Sequence, residues 1–186
     1  MNDAFVRSVV DDLESISQDA ADAFGNLTTV QLNWKSDAKS WSVAQCLDHL
    51  IVIDSLYFPL FEKLRRGKIE NTFWQKISPF SGFFGRELIK RLSPEYEKKT
   101  KTSAKAMPSS SEYGGDIVER FREHQLELAG HIANISSDVA GETIITSPLA
   151  GFVTYSLSDC VKVLVVHEQR HMLQAKRVME NEGFPA

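Results

Sequence analysis

Four segments of the chain carry apolar residues at spacings of three and four, which is the period of one face of an α-helix. They cover residues 5–24, 42–67, 116–136 and 158–181. Pro59 lies inside the second segment and predicts a kink in that helix. The sequence contains no convincing run of alternating polar and apolar residues of the kind that indicates a strand. The pattern therefore predicts an all-α protein, built as a four-helix bundle.

The ends of these helices carry recognisable signals. In the tetrapeptide S-V-A-Q, Ser42 is followed three residues later by Gln45, a spacing that predicts a capping box at the start of the second helix. Ser156 or Ser158 is expected to cap the fourth helix. A length of 186 residues is typical of one domain, so residues 1–186 are interpreted as a single unit.

The link between the second and third helices, residues 68–115, is too long for a simple hairpin. A link of this length can cross the bundle from end to end, which would leave the two helices parallel. We expect a short helix at residues 85–92 within it, and we expect the segment to cover one end of the bundle and to carry substrate contacts. The alternative is that Phe80, Phe83 and Phe84 only seal the core.

Charge and composition exclude some classes of partner. The net charge is -4, and no basic face is apparent, so neither nucleic acid nor an anionic membrane is expected as a partner. The acidic start of the chain does not resemble a secretory signal, and no run approaches the ~18 apolar residues of a membrane span. Cys46 and Cys160 fall inside apolar helical patterns, as free cysteines do, which favours the cytoplasm.

The most informative motif is V-V-H-E-Q-R-H-M-L-Q at residues 165–174, which contains the H-E-x-x-H pattern of zinc metalloproteases. His167 and His171 both occupy positions of the fourth helix where its apolar stripe predicts a hydrophobic residue. A spacing of four places them one turn apart, ~6 Å along the axis, so their rings can converge on one ion.

A third histidine occupies a similar position on the second helix. The stripe through Cys46, Ile53 and Leu56 also includes His49. Three neutral imidazoles buried together without an ion would have donors and acceptors that are hard to satisfy, so the three are predicted metal ligands. His124 and His131, on the third helix, lie ~10.5 Å apart along its axis and are left out of the site.

The protease interpretation is weak. The long form of that motif requires a glycine and a histidine where this chain has Gln174 and Arg177. Glu180 and Glu182 are the remaining ligand candidates of the fourth helix, but they lie ~13 Å or more from His171 along the axis. No strand is predicted that could bind a substrate peptide at its edge.

Glu168 has two possible roles. It follows His167 directly and is therefore turned about 100° away from it around the helix. It is either a solvated or ion-paired residue, with Arg170 or another neighbour as the partner, or a general base at the rim of the site. It is our one candidate catalytic residue.

Five motifs, in this order and spacing, resemble the DinB superfamily of small bacterial helical bundles over nearly the whole chain. They are W-S-V-A-Q-C-L-D-H-L at 41–50, S-G-F-F-G-R at 81–86, S-P at 147–148, S-L-S-D at 156–159 and H-E-Q-R-H-M-L-Q at 167–174.

The resemblance implies an up-down-down-up bundle that commonly forms a homodimer. It also implies a divalent ion held by one histidine of the second helix and two of the fourth, here His49, His167 and His171. Several relatives are similar to metal-dependent transferases that join a low-molecular-weight thiol, such as bacillithiol, mycothiol or glutathione, to an electrophile. Zinc or nickel is the expected ion, although imidazole ligands suit copper and iron as well.

Three functions follow from these observations. Three imidazoles leave at least one coordination position open, which is typical of catalytic sites. The first hypothesis is a metal-dependent thiol transferase acting on a small-molecule substrate. The second is a hydrolase that uses bound hydroxide, with Glu168 or Asp48 as proton acceptor. The third is a non-catalytic module in which the metal stabilises a surface for a partner.

Overall fold

The structure is a computed structural model that describes residues 3–67, 80–96, 102–135 and 143–186. Most of these residues lie in helices. The α-helices are α1 (Asp3–Phe24), α2 (Thr29–Asn33), α3 (Val43–Ser55), α4 (Phe58–Arg65), α5 (Phe80–Leu92), α6 (Ile117–Ala133) and α7 (Leu157–Met179). A 3₁₀ turn covers Ala104–Ala106, and two short strands are β1 (Ile144–Thr146) and β2 (Thr154–Ser156). Three of the four predicted long helices are thus confirmed as α1, α6 and α7, with ends shifted by a few residues, and the second, predicted at 42–67, is divided into α3 and α4.

The start of α3 is fixed by the predicted capping box. The Ser42 hydroxyl accepts a hydrogen bond from the backbone N–H of Gln45 at 3.2 Å, and the Gln45 side chain accepts one from the backbone N–H of Ser42 at 3.4 Å. The predicted kink is a break between α3 and α4, and Pro59 lies in the first turn of α4. Pro59 has no backbone N–H to donate to the carbonyl of Ser55, four residues earlier, and is tolerated in the first turn of a helix, where the N–H has no helical partner.

The four long helices α1, α3, α6 and α7 contact one another in a closed ring. Helix α1 packs on α6, α6 on α3, α3 on α7, and α7 on α1. Their apolar stripes meet inside this ring and form the hydrophobic core. Since α3 and α7 are neighbours in the ring, the histidine-bearing faces of these two helices can meet.

The expectation of a purely helical protein is wrong in one respect, because β1 and β2 form an antiparallel hairpin with Ile145 opposite Tyr155. Strands of three residues are too short to show a period of two in the sequence. The hairpin is tied to the junction between α3 and α4 by a hydrogen bond of 2.8 Å between the hydroxyls of Tyr155 and Tyr57.

Helix α5 confirms the short helix predicted at 85–92 and extends it towards the N-terminus. It packs on β2 and on the first part of α7. A Cβ atom at Gly85 would lie 2.8 Å from the Cβ and Cγ atoms of Asp159, so only glycine permits this approach. At Gly82 a Cβ would meet only the end of the Arg86 side chain, at 3.4 Å. The prediction that the 68–115 link covers one end of the bundle falls partly on residues 68–79 and 97–101, which lie outside the described residues.

In the part of the chain that the structure describes, the stretch Val43–Arg65 is long and apolar enough to cross a membrane. However, most of its apolar part is buried inside the protein. Core helices of water-soluble proteins have the same composition, so the apolar character of this stretch is explained by its packing against α6 and α7.

Candidate metal centre

Helices α3 and α7 bring the three predicted ligands together. His49 is 2% exposed, His167 5% and His171 9%. Three ring nitrogens, one from each histidine, lie within 4.8 Å of one another. Among the residues that the structure describes, no other group of three histidine, cysteine or acidic side chains meets this distance.

The spacing of the ring nitrogens fits a shared ion. The Nε2 atoms of His49 and His167 are 3.4 Å apart. Two nitrogens that each lie about 2.1 Å from a tetrahedral ion are separated by about 3.4 Å. The Nδ1 atom of His171 is buried and has no hydrogen-bond partner among the described residues. A buried ring nitrogen without a hydrogen-bond partner lowers the stability of the folded protein. A metal ion bound by the cluster would remove this cost.

The orientation of His49 is fixed from outside the cluster. Its Nδ1–H donates a hydrogen bond to the carbonyl oxygen of Ala106, in the 3₁₀ turn. The proton on Nδ1 leaves the lone pair on Nε2, the atom that faces His167. Ligating histidines usually donate their second ring proton in this way, and the bond sets both the tautomer and the angle of the ring.

Asp48 supports the turn that holds His49. Its carboxylate accepts hydrogen bonds from the backbone N–H of Ser109 at 2.6 Å, from the Ser109 hydroxyl at 3.0 Å and from the Tyr113 hydroxyl at 2.9 Å. The hypothesis that Asp48 accepts a proton during hydrolysis is therefore not favoured, because its oxygens are already engaged. Asp48 instead connects α3 to the segment that carries Ala106.

Burial keeps the three imidazoles neutral. It lowers the pKa of His49 to about 4, although the Ala106 carbonyl and Asp48 act in the opposite direction. Burial, reinforced by the neighbouring His49 and Arg170, lowers the pKa of His167 to about 3. For the same main reason, the pKa of His171 lies well below its usual range. All three rings therefore offer a lone pair at neutral pH, which metal binding requires.

These pKa values predict a metal affinity that depends little on pH. Protons compete with a metal only when the pH approaches the pKa of the ligand, and ordinary histidines reach that point near 6.5. We expect the zinc affinity, measured by calorimetry, to be nearly constant from about pH 7.5 to about pH 5.5 and to fall towards pH 4. The expectation would be contradicted if the zinc affinity fell from pH 6.5 downwards by about tenfold per pH unit for each histidine. Circular dichroism at each pH checks that the protein is still folded.

Trp41 forms a wall of the cluster. Its half-buried indole ring lies 4.7 Å from the His49 ring and 5.7 Å from the His171 ring, and it is nearly parallel to the latter. The three histidines are more deeply buried than this tryptophan. A planar apolar surface therefore borders two of the three proposed ligands. Helical periodicity does not predict it, because Trp41 lies before the first residue of α3.

Arg170 anchors the segment that follows α5. Its guanidinium donates hydrogen bonds to the carbonyl oxygens of Ser93, at 2.9 Å, and Tyr96. The same positive charge contributes to the low pKa of His167 and His171. Arg170 thus fixes part of the long crossover beside the histidine cluster.

His124 and His131 lie outside the cluster, as predicted. The His124 ring stacks on Phe58, with ring centres 5.1 Å apart, and its Nε2 atom is 3.8 Å from a carboxylate oxygen of Asp54. The His131 ring also packs against Phe58 and lies near Glu62. The prediction, made from their spacing of seven residues, that these two histidines do not belong to the metal site is therefore confirmed.

Glu168 is fully buried, so the expectation of a solvated residue is wrong. Its Oε1 atom accepts a hydrogen bond of 2.8 Å from the Nε2 of Gln125. Its Oε2 atom and both carboxylate oxygens of the neighbouring Asp54 have no hydrogen-bond partner among the described residues. Burial raises the pKa of Asp54 to about 7 and that of Glu168 well above its usual range. The role of Glu168 as a general base stays a prediction, and its contacts connect it to α3 and α6.

The comparison with known proteins agrees with this geometry. The sequence profile of the DinB superfamily matches residues 12–175 of the 186-residue chain, a range that includes all three clustered histidines. Comparison with curated proteins and with solved structures gives no significant match. The family match covers most of the chain, and the chain therefore belongs to the DinB superfamily.

Proposed function

We propose that the protein is a metal-dependent transferase that joins a low-molecular-weight thiol to a small electrophile. The observation that carries this proposal is the convergence of three neutral, buried imidazoles from two helices. The proposed ligands are His49, His167 and His171, and zinc or nickel is the proposed ion, because imidazole nitrogen suits both. A bound divalent ion lowers the pKa of a thiol or a water molecule and so supplies a nucleophile at neutral pH.

The residues of the chain contribute orientation and a confined environment. His49 is aligned by the Ala106 carbonyl, and Trp41 offers a flat apolar surface next to two of the rings. In the overall reaction the thiol sulfur bonds to an electrophilic carbon, and the thiol proton passes to the solvent. With a substrate that carries a leaving group, that group departs with the electron pair of the broken bond. With an epoxide or a maleimide, the ring C–O bond or the C=C π bond breaks instead, and the oxygen or carbon that receives the electron pair takes up a proton from the solvent.

A panel assay tests the thiol-transfer proposal. The metal-loaded protein is incubated with an aryl halide, an epoxide or a maleimide, each with and without glutathione, cysteine, coenzyme A, bacillithiol or mycothiol. We expect at least one pair to react faster than the uncatalysed background only when the protein, the metal and the thiol are all present. The His49→Ala variant and the chelated protein should give the background rate.

Two other outcomes would support the alternatives. Loss of an electrophile without thiol would favour a hydrolase, for which Glu168 is the remaining candidate proton acceptor. Background rates with every pair, together with metal-dependent stability, would favour a non-catalytic module. Either result would contradict the thiol-transfer proposal.

Four more general expectations belong to the same proposal. We infer that the ring of long helices is the up-down-down-up bundle of the family, which the contacts of α3 with α6 and α7 support. We also infer that residues 1–186 form a single domain and that the protein forms a homodimer. The two free, buried cysteines support a cytoplasmic location, because disulfides are rare there.

A further inference from the structure

A second buried polar cluster lies next to the metal centre and is not explained by it. It contains Asp54 on α3, His124 and Gln125 on α6, and Glu168 on α7. Asp54 and Glu168 are 0% exposed, Gln125 is 1% and His124 is 6%. Buried polar groups are costly unless they are paired, so four of them at one place in a helical core call for an explanation.

Three of these residues occupy positions where a hydrophobic side chain would normally lie. Buried stripes with alternating spacings of three and four run along α6, along α7 and from α3 into α4, and each stripe is hydrophobic except at one place. The stripes are Leu47, Leu50, Asp54, Tyr57 and Phe61; Val118, Phe121, Gln125, Leu128 and Ile132; and Val161, Val165, Glu168, Met172 and Ala175. The polar residue stands at the centre of each stripe, and two of the three, Gln125 and Glu168, are in direct contact.

Contacts between these residues connect three helices at this level. The Gln125 side chain donates to Glu168 across the interface between α6 and α7. Asp54 lies beside this pair: one of its carboxylate oxygens is 3.8 Å from the Nε2 atom of His124 on α6, and its carboxyl group raises the pKa of Glu168. No donor group among the described residues reaches Asp54 or the Oε2 atom of Glu168, so a proton shared between the two carboxyl groups is the bond that can join α3 to α7. Hydrogen bonds have preferred distances and directions, whereas apolar contacts tolerate sliding of one helix along another. The chain of contacts therefore defines the register of the three helices.

The same two helices, α3 and α7, carry the histidine cluster. Glu168 is the neighbour of His167, and Asp54 follows His49 by five residues, or ~7.5 Å along the helix axis. A shift of α3 along α7 would separate the His49 and His167 nitrogens, which are 3.4 Å apart. A polar connection this close to the ligands is well placed to prevent such a shift.

We propose that Asp54, Gln125 and Glu168 are positioning residues that fix the register of α3 and α7 and thereby hold the three histidines in metal-binding geometry. The proposal rests on the metal site of the proposed function and not on thiol chemistry. A substitution that removes the connection should change how the metal is held, in addition to any change in stability.

Substitutions at Glu168 test this proposal through cobalt and zinc binding. Cobalt absorption bands report the coordination geometry, and competition with a chelator gives the zinc affinity. We expect Glu168→Ala to lower the zinc affinity about tenfold or more, the effect of losing a group that orients a ligand, and to change the cobalt spectrum. Glu168→Gln should restore both, because its amide can accept from Gln125 and donate to Asp54.

Two further variants separate a positioning role from a general loss of stability. Gln125→Leu removes the donor to Glu168 but keeps both carboxyl groups. It can therefore replace Glu168→Ala in the metal-binding test if Glu168→Ala does not fold. We expect it to change the cobalt spectrum in the same direction. Tyr155→Phe is the matched control, because it removes another buried hydrogen bond, the one to Tyr57. It should lower the melting temperature and leave the cobalt spectrum unchanged.

Clear results would overturn the proposal. If Glu168→Ala and Gln125→Leu lowered only the melting temperature, with wild-type zinc affinity and cobalt spectrum, the cluster would have a structural role alone. If the wild type bound two ions per chain and Glu168→Gln bound one, the cluster would be a second cation site. A wild-type protein that bound no metal would overturn this proposal and the metal centre together, whereas metal binding without thiol transfer would overturn only the reaction.

Discussion

Replacing His49 with alanine should reduce the metal content of the purified protein from about one equivalent per chain to background. His49 is the only one of the three clustered histidines that comes from α3, and its ring is already aligned by Ala106. Without it, the two remaining histidines are one turn apart on α7 and offer only two ligands. Loss of a group that merely orients a ligand costs about 10–100-fold in affinity, so loss of a ligand should cost more.

Metal analysis after dialysis, together with zinc competition, measures this effect. The matched control is His131→Ala, which removes a histidine from α6 that lies outside the cluster and packs against Phe58. That variant should keep the wild-type metal content. Equal metal content in His49→Ala and His131→Ala would show that the ion, if one is bound, is held elsewhere.

Removing the metal should lower the melting temperature by a large amount. An ion that binds only the folded state, at a free concentration of about 1,000 times its Kd, contributes about 4 kcal/mol to the free energy of unfolding. For a protein of this size each kcal/mol changes the melting temperature by about 2–4 °C, so we expect a decrease of about 8–16 °C on chelation. Without the metal, the rings of His49, His167 and His171 are buried with no ion to bind their lone pairs, which lowers the stability of the folded state.

Thermal melts with and without chelator, and after zinc is restored, check this expectation. In the His49→Ala variant the melting temperature should be lower from the start and should not respond to chelator or zinc. A wild-type protein that melts at the same temperature in all three conditions would contradict a metal bound in the core. A chelator effect of similar size in His49→Ala would place the responsible ion at another site.

The candidate ligands could be predicted from the sequence because each interrupts a regular apolar stripe. His49 lies within the stripe of Cys46 and Ile53, and His167 and His171 lie one turn apart on α7. Helical periodicity predicts which face a residue occupies, and the compact ring of helices brings those faces together. The capping box at Ser42 is predictable for the same reason, because all of its parts are local.

The polar cluster around Glu168 is not predicted by the stripe of α7 that contains His167 and His171. A second stripe, through Val161, Val165 and Met172, also contains Glu168 and would have predicted its burial. Its partners Asp54 and Gln125 come from other helices, and no local spacing in the sequence shows which side chains will pair. The capping box at Thr28 and Gln31, which starts α2, is a local signal of the same kind as the one at Ser42.

The central claim is that imidazoles from α3 and α7 hold one divalent ion together. A crystal structure of the zinc- or nickel-loaded protein, with anomalous scattering collected at the absorption edge of the metal, tests it most directly. We predict a single anomalous peak about 2.0–2.1 Å from the Nε2 atoms of both His49 and His167, and within bonding distance of a ring nitrogen of His171. A map with no peak among these rings, or with a peak that His49 does not ligate, would contradict the claim.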